Sequence, residues 1–500
     1  MSIQLVLRCA AFAAALVPLA VTAAVYTVTN TNDSGSGSLR DAMLLANAHA
    51  GFDEIHFAIP GSGVHTIALE SELPSIISPV LIDGYTQPGA RVNTAGVGTN
   101  AELMIELRPA TSLNHSGLIL LAGSSGSTIR GLVVNRFDGV QINATAGGID
   151  CVITGNFVGT DPTGTIGYPG GPGTRVGISA AGARCRVGGP TRGDRNLVSG
   201  LSNVGISATG DDVVVQGNLV GTTADGGAAL GNSRGISVGS TTPGFVTHNV
   251  VVGGIISGTQ TPYNVVSGNA GDGIEIVSGE GHRIEGNLVG LAAFPIATIP
   301  NGGAGIHVSG GSLIDIGSAL DGGGNAVAGN LDAGILVSGT STSEPQGVFI
   351  VGNTVFGNGD IPIDLAPGNV EGVTPNDTFD MDPGPNSLQN FPVLGPVTYT
   401  AAETHIHGRL HSTPDEVFRI DLYTVSSCDP SGHGGASSYV GLAGVVTDLS
   451  GNAEFDIVVP SILDSGFATA TASRAVDLAT SEFSACLQLG DRIFADGFDG

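Results

Sequence analysis

"GNFVG" at Gly155–Gly159, "GNLVG" at Gly217–Gly221 and "GNLVG" again at Gly286–Gly290 are one phrase written three times. A catalytic motif is normally written once, so a recurring phrase points to architecture. Asn156, Asn196, Asn218, Asn249, Asn264, Asn287, Asn325 and Asn353 each precede two or three largely apolar residues, and the plainest intervals between them are 22 and 23 residues. A second phrase alternates with the first: "GISA" at Gly177 and Gly205, "GISV" at Gly235, "GIEI" at Gly273, "GIHV" at Gly305 and "GILV" at Gly334.

These segments are too short for helices. They are rich in Val and Ile and bounded by Gly, Asn, Ser and Thr, which marks strands of a few residues joined by turns. A period near 22 with two or three such strands per unit predicts a parallel β-solenoid. Successive coils then pair at about 4.8 Å, and each apolar residue stacks on its equivalent in the next coil. The asparagines have a use in such a stack, because an amide both donates and accepts and can bond to its copy one coil away.

Composition narrows the function classes. The chain has 500 residues, 80 glycines, 12% charged residues, no tryptophan and no lysine, so its basic residues are arginines. A net charge of −27 argues against nucleic acid and against anionic membrane surfaces, both of which need clustered positive charge, and favours divalent cations. Without lysine there is no Schiff-base chemistry. Residues 1–24 read as a secretory leader, with Arg8, the apolar "AAFAAALVPLAV" and a small-residue cleavage site near Ala23 or Ala24. No later run is long and apolar enough for a transmembrane segment. The expected location is therefore secreted or at the cell surface. Cys151, Cys185, Cys428 and Cys486 form a middle pair and a terminal pair, the grouping expected of one disulfide within each of two domains; free buried thiols are the alternative.

At "GSTIRGLVVNRF" (Gly126–Phe137) and "GNFVGTDPTGT" (Gly155–Thr165) the chain resembles the right-handed parallel β-helix proteins of the pectin-lyase-like type, in particular exported bacterial repeat proteins. Its opening, "VTNTNDSGSGSLRDAMLLANA" (Val28–Ala48) followed by "IPGSGVHTIALESELPSIISPVLIDGYTQPG" (Ile59–Gly89), is similar to the segment that begins those proteins. The resemblance spans about residues 25 to 390. It implies a bacterial location and a fold that hosts lyases, hydrolases and adhesins alike, so activity must be argued from the site.

The expected fold is all-β: a right-handed parallel β-helix with an N-terminal helical cap, followed by a C-terminal antiparallel β-sandwich. The boundaries are 25–95 for the cap and first strands, 96–370 for the coil, 371–392 for an acidic Pro-rich connector, 393–489 for the sandwich and 490–500 for a tail. The cap is a helix over 38–48, with Leu39, Ala42, Met43 and Ala46 on one face. The sandwich rests on clean alternation in "THIHGRL", "VFRIDLYT", "AEFDIVVP" and "GFATATAS".

Candidate chemistry lies off the repeat. Asn376, Asp377, Asp380, Asp382 and Asn386, with Gly384 among them, offer the oxygen ligands that Ca²⁺ wants; a solvated acidic linker is the competing reading. Asp161 in an Asp-Pro turn is a weaker cation candidate. Pectate-lyase-like relatives use acidic calcium ligands on the coil face with a basic residue that abstracts a sugar proton. Galacturonan hydrolases use clustered aspartates with downstream His and Arg or Lys. The adjacent Asp211 and Asp212, with His282 and Arg283 downstream, are the catalytic candidates that this implies. The competing reading makes the aspartates a solvated turn, and His282 and Arg283 exposed strand ends. His405, His407 and His411 cluster in "THIHGRLH", either as a metal pair or as an exposed strand face. No Ser/His/Asp arrangement stands out. The function expected is a non-catalytic structural, adhesive or glycan-contacting module whose partners are extracellular polysaccharide or surface protein. The alternative is a polysaccharide lyase or glycoside hydrolase.

Overall fold

The computed structural model describes residues 22–111, 115–168, 175–255, 262–294, 297–339 and 344–490. All but the last three residues of the expected leader, and all but the first residue of the expected tail, lie outside the described residues. From Val25 to Pro367 the chain winds as a right-handed parallel β-helix. Each complete coil gives one strand to each of three parallel sheets, which hold eleven, ten and nine strands among the described residues.

The repeated phrases become columns. In the nine-stranded sheet Ile142, Ile178, Ile206, Ile236, Ile274, Ile306, Ile335 and Ile363 lie in register, each on the next. These are the isoleucines of the Gly-Ile phrases, extended by one at either end, and all are buried. The "FV" and "LV" of the opening phrase supply a second column: Val158, Val198, Val220, Val266, Val289, Val327 and Val355 in the ten-stranded sheet. The eleven-stranded sheet completes the interior with Ile129, Ile153, Val187, Val215, Val252, Ile284, Ile316 and Ile350. Full burial of each such side chain is worth about 1.5–3 kcal/mol. β-branched residues suit these positions because they are stiff and fit a pleated surface.

The asparagines form the expected ladder. Asn156, Asn196, Asn218, Asn264, Asn287, Asn325 and Asn353 each donate an amide proton to the carbonyl oxygen of the next, at 2.9–3.2 Å. Gly155, Gly217 and Gly286, the glycines before three of them, hold φ of 66°, 71° and 63°, a corner conformation that side chains avoid. Asn249 is not in the ladder. It stands at an exposed turn with φ 56° and bonds Asp212 instead. The strand that follows it belongs to the eleven-stranded sheet, whereas every ladder asparagine directly precedes a strand of the ten-stranded one. A second ladder, absent from the expectation, joins Asn232, Asn269, Asn301, Asn330 and Asn358 at 2.9–3.1 Å.

Both ends of the apolar stack are covered. The helix Leu39–Ala48 is capped by Ser38, whose hydroxyl accepts from the Asp41 amide at 3.2 Å, and it buries Leu39, Ala42, Met43 and Ala46 against Val28 and Ile55. Beyond the coil, two antiparallel sheets enclose a separate core of Ile406, Leu410, Phe418, Ile420, Phe455, Ile457 and neighbours. One holds Val393–Tyr399, Thr404–His411 and Asn452–Val459; the other holds Val417–Val425, Ser438–Val446, Phe467–Arg474 and Leu487–Gln488. This sandwich seals the coil's far end: Tyr423, Ala436 and Phe483 join the coil core, and the Thr480 hydroxyl accepts from the Ile350 amide at 3.0 Å. Cys151 is bonded to Cys185 within the coil, and Cys428 to Cys486 within the sandwich.

Candidate functional site

The three outer faces of the coil differ. That of the ten-stranded sheet is closed: Val133, Phe157, Leu197, Leu219 and Val265 pack under Leu103, with Tyr85, Ala101 and Tyr263 against them. The eleven-stranded sheet instead leaves a row open. Val251, Arg283, Asp315 and Phe349 lie side by side in register on successive strands, facing outward between the buried columns. Glu285 shares the face two residues along from Arg283, and the guanidinium Nη1 lies 3.7 Å from its Oε1.

The electrostatics of this row follow from its packing. Burial pushes the Glu285 carboxyl above its usual range; Asp315 adds to the shift and Arg283 opposes it. Burial likewise raises Asp315, again against Arg283. Arg283 itself is 53% exposed. The row ends at the sandwich, where the guanidinium of Arg419 lies 5.9 Å from the Phe349 ring centroid. Asp421 accepts from Arg419 at 2.8–2.9 Å, and the Tyr439 hydroxyl accepts at 3.0 Å, which fixes that guanidinium and raises its pKa. The arrangement thus presents an exposed cation between a buried carboxylate, Glu285, and a half-buried one, Asp315, followed by an aromatic face and a second, held cation. It can bind hydroxyl-rich or carboxylate-bearing ligands and move protons at a carboxyl group.

The sequence candidates fall in different places. Arg283 is in the row; Asp211, Asp212 and His282 are not. Asp211 accepts from the His248 backbone amide at 2.8 Å and faces its Nδ1 at 3.1 Å, while Asp212 has φ 56° and accepts from Asn249 at 3.2 Å. The pair is an exposed turn. The reading of His282 as an exposed strand end is overturned, since the residue is fully buried. Its Nδ1 accepts from the Val250 amide at 3.1 Å and its Nε2 faces the Ser278 carbonyl at 3.1 Å, so the ring braces a corner. Burial pushes its pKa down. Glu285 and Asp315 were missed because they are 30 residues apart in sequence and neither belongs to an acidic cluster; only register unites them.

In the acidic segment, one carboxylate oxygen from each of Asp377, Asp380 and Asp382 lies within 4.8 Å of the others. Asp380 is buried and accepts from the Asn390 amide at 2.8 Å and from the Ser412 hydroxyl at 2.9 Å. Burial pushes its carboxyl up to about 6. Asp377 Oδ1 and Asp382 Oδ1 are shielded from solvent with no protein partner, a donor set suited to a hard cation. Asn376 and Asn386 are committed elsewhere. Asn376 exchanges hydrogen bonds with the Phe391 backbone at 2.8 and 2.9 Å. Asn386 donates to the Val348 and Thr480 carbonyls and accepts from the Val348 amide, all at 2.8 Å, pinning the segment to the coil's end.

Asp161 accepts from the Thr163 hydroxyl and from the amides of Thr165 and Ile166, closing its own turn. His405 and His407 both face Asp456 on the neighbouring strand, at 3.0 and 3.4 Å, while His411 faces Asn452 at 3.0 Å. No described helix is long and apolar enough to cross a membrane.

No protein-family model and no curated protein matches the chain. Among solved structures it is similar to the Dettilon tailspike protein, at 14% identity over 87% of this chain and 94% of that one, with a TM-score of 0.35. It is also similar to a periplasmic alginate epimerase, at 16% identity over 63% of this chain and 67% of that one, with a TM-score of 0.31. The A-module of Azotobacter vinelandii mannuronan C-5 epimerase AlgE4 matches at 15% identity over 68% of this chain and 97% of that one, with a TM-score of 0.29. At these values no residue or activity carries over to this chain.

Proposed function

We propose that this protein is an exported β-helix module that contacts extracellular polysaccharide along the outer face of its eleven-stranded sheet. The observation that carries the reading is the open row of Arg283, Asp315 and Phe349, with Glu285 beside it and Arg419 beyond. Strands about 4.8 Å apart present these groups in a straight line, the display that a linear polymer meets unit by unit. Carboxylates and guanidinium groups hydrogen-bond sugar hydroxyls, and Phe349 offers an apolar ring face. A chain of net charge −27 repels a polyanion, so the partner is a neutral polysaccharide or an acidic one bridged by a divalent cation. Surface protein is the other class of partner in this reading.

One observation favours catalysis as a second reading. Arg283 lies between two carboxylates whose pKa values burial raises, which supplies a proton donor and a cation on one face. Asp377, Asp380 and Asp382 are proposed to hold Ca²⁺ in a structural role, since they lie in the segment that ties coil to sandwich.

The test is affinity electrophoresis against a panel of neutral and uronate polysaccharides, with and without Ca²⁺. Retardation by at least one polymer, weakened about tenfold or more by Arg283→Ala with circular dichroism unchanged, is the expected result. No retardation by any member refutes the proposal. Release of unsaturated or shortened oligosaccharides by the wild-type chain, abolished in Glu285→Gln, moves the protein to the second reading.

A further inference from the structure

The outer face of the nine-stranded sheet, a different sheet from that of the polysaccharide row, holds three side chains that the row does not use. Asp272 sits in the turn before the strand Ile274–Ile276, His307 lies on Ile306–Val308, and Ser338 lies on Ile335–Gly339. The three strands are consecutive neighbours. His307 pairs with Glu275 on one side and Leu336 on the other, so Ser338, two residues past Leu336, stands diagonally from it on the same face.

His307 Nδ1 lies 3.0 Å from Asp272 Oδ2, and His307 Nε2 lies 2.8 Å from Ser338 Oγ. The other oxygen of Asp272 accepts from the Ala304 amide at 2.9 Å, which fixes the carboxylate. A carboxylate only accepts, so Nδ1 carries the ring proton and Nε2 presents its lone pair to the serine hydroxyl. Glu275 faces the same histidine and is engaged by Arg234 at 2.8 Å. Beside the histidine, Leu336 packs with Ala304, Ala333 and Ala366 in a small apolar cluster of its own.

We propose that Ser338, His307 and Asp272 form a nucleophile–base–orienting relay that hydrolyses small acyl esters, independently of the polysaccharide row. Hydrogen-bond geometry of nucleophile to base and base to carboxylate defines such a relay whatever the fold or chain order. Ser338 is 5% exposed, so only a small, flat acyl group such as acetyl reaches its oxygen; Leu336, held from beneath by the buried alanines, is the apolar neighbour for the methyl. Ser338 Oγ bonds to the acyl carbon while its proton passes to His307 Nε2. That proton goes to the departing alcohol as the ester C–O bond breaks. A water then attacks the acyl-serine with His307 as base, the carboxylic acid leaves, and Ser338 regains its proton.

The full chain is assayed with p-nitrophenyl acetate, and the acetyl-enzyme is trapped by acid quench and located by peptide mass spectrometry. The expected result is turnover above the background of a histidine-matched control protein, with the trapped acetyl group on Ser338. Ser338→Ala and His307→Ala each lower kcat at least 100-fold, and Asp272→Asn lowers it at least tenfold with KM little changed. Circular dichroism and melting verify that each variant is folded; Ser338→Ala removes only one oxygen and provides the control if His307→Ala unfolds. Turnover no greater than background, the trapped acetyl group on another residue, or full activity in Ser338→Ala each overturns the proposal. Retained polysaccharide binding in Ser338→Ala separates this relay from the row on the eleven-stranded sheet.

Discussion

Asn264→Ala tests the ladder against the sequence pattern. The Asn264 side chain is fully buried. It donates to the Val215 carbonyl and to Asn287 Oδ1, both at 2.9 Å, and accepts from the Asn218 backbone and side-chain amides at 3.0 and 2.9 Å. Alanine removes all four bonds. The Asn218 side chain retains the Val187 and Gln216 carbonyls, and Asn287 Oδ1 retains the Asn264 backbone amide at 3.3 Å. What is stranded in a dry interior is the Asn218 backbone N–H and part of the Val215 carbonyl. At about 1–3 kcal/mol per stranded group, the loss is on the order of 3–4 kcal/mol. The comparison variant is Asn249→Gly, at a position with the same local spelling but φ 56° and an exposed side chain; glycine adopts that backbone freely, so the change is within about 0.5 kcal/mol of neutral. Urea unfolding followed by circular dichroism gives the overall shift. Hydrogen exchange over 213–222 reads the local one, since a solenoid can open one coil at a time. Equal effects from the two variants, or an Asn264→Ala shift below 0.5 kcal/mol, would refute the reasoning.

Two further outcomes are expected. Glu482 is buried at the seal between coil and sandwich, where it accepts from the Leu365 and Thr374 amides, and burial pushes its carboxyl up to about 8. Asp364 beside it is raised to about 7, by burial first and by Asp360 and Glu371. Folded protein then holds more protons than unfolded, so the stabilisation present below the ordinary carboxylate range is lost as pH rises through 7 and 8, at up to about 1.4 kcal/mol per pH unit for each group. The melting temperature should fall from pH 6 to pH 9, and Glu482→Gln should flatten the slope; a slope unchanged in the variant counts against this account. For the proposed cation site, 1 mM Ca²⁺ should raise the melting temperature of chelator-treated protein. Asp377→Asn with Asp382→Asn should abolish the increase, and a wild-type melt indifferent to both Ca²⁺ and chelator would remove the site.

The interior of the coil was legible because its rule is local. An isoleucine after each glycine and a valine two places after most of the asparagines report the column directly, and Ser38 with Leu39, Ala42, Met43 and Ala46 reports the helix. The second ladder escaped because none of Asn232, Asn269, Asn301, Asn330 and Asn358 is followed by two apolar side chains in a row, so a filter for that pattern passes over them. Asn249 was included for the converse reason. The outward groups were hardest to read: Arg283 and Asp315 are 32 residues apart, His307 and Ser338 are 31 apart, and loops of unequal length leave no fixed interval that would align them. Asn386 had the composition of a ligand, but its amide is consumed by Val348 and Thr480, partners that only the folded chain supplies.

The helix at one end and the sandwich at the other have a meaning beyond covering apolar side chains. A coil stripped of both would show, at each end, three strand edges with unpaired amides and carbonyls above a flat apolar layer. That surface is complementary to the end of another copy, the condition under which strands add without limit. In the language of polymers, the coil is a propagating chain and Leu39–Ala48 and the sandwich are its terminators.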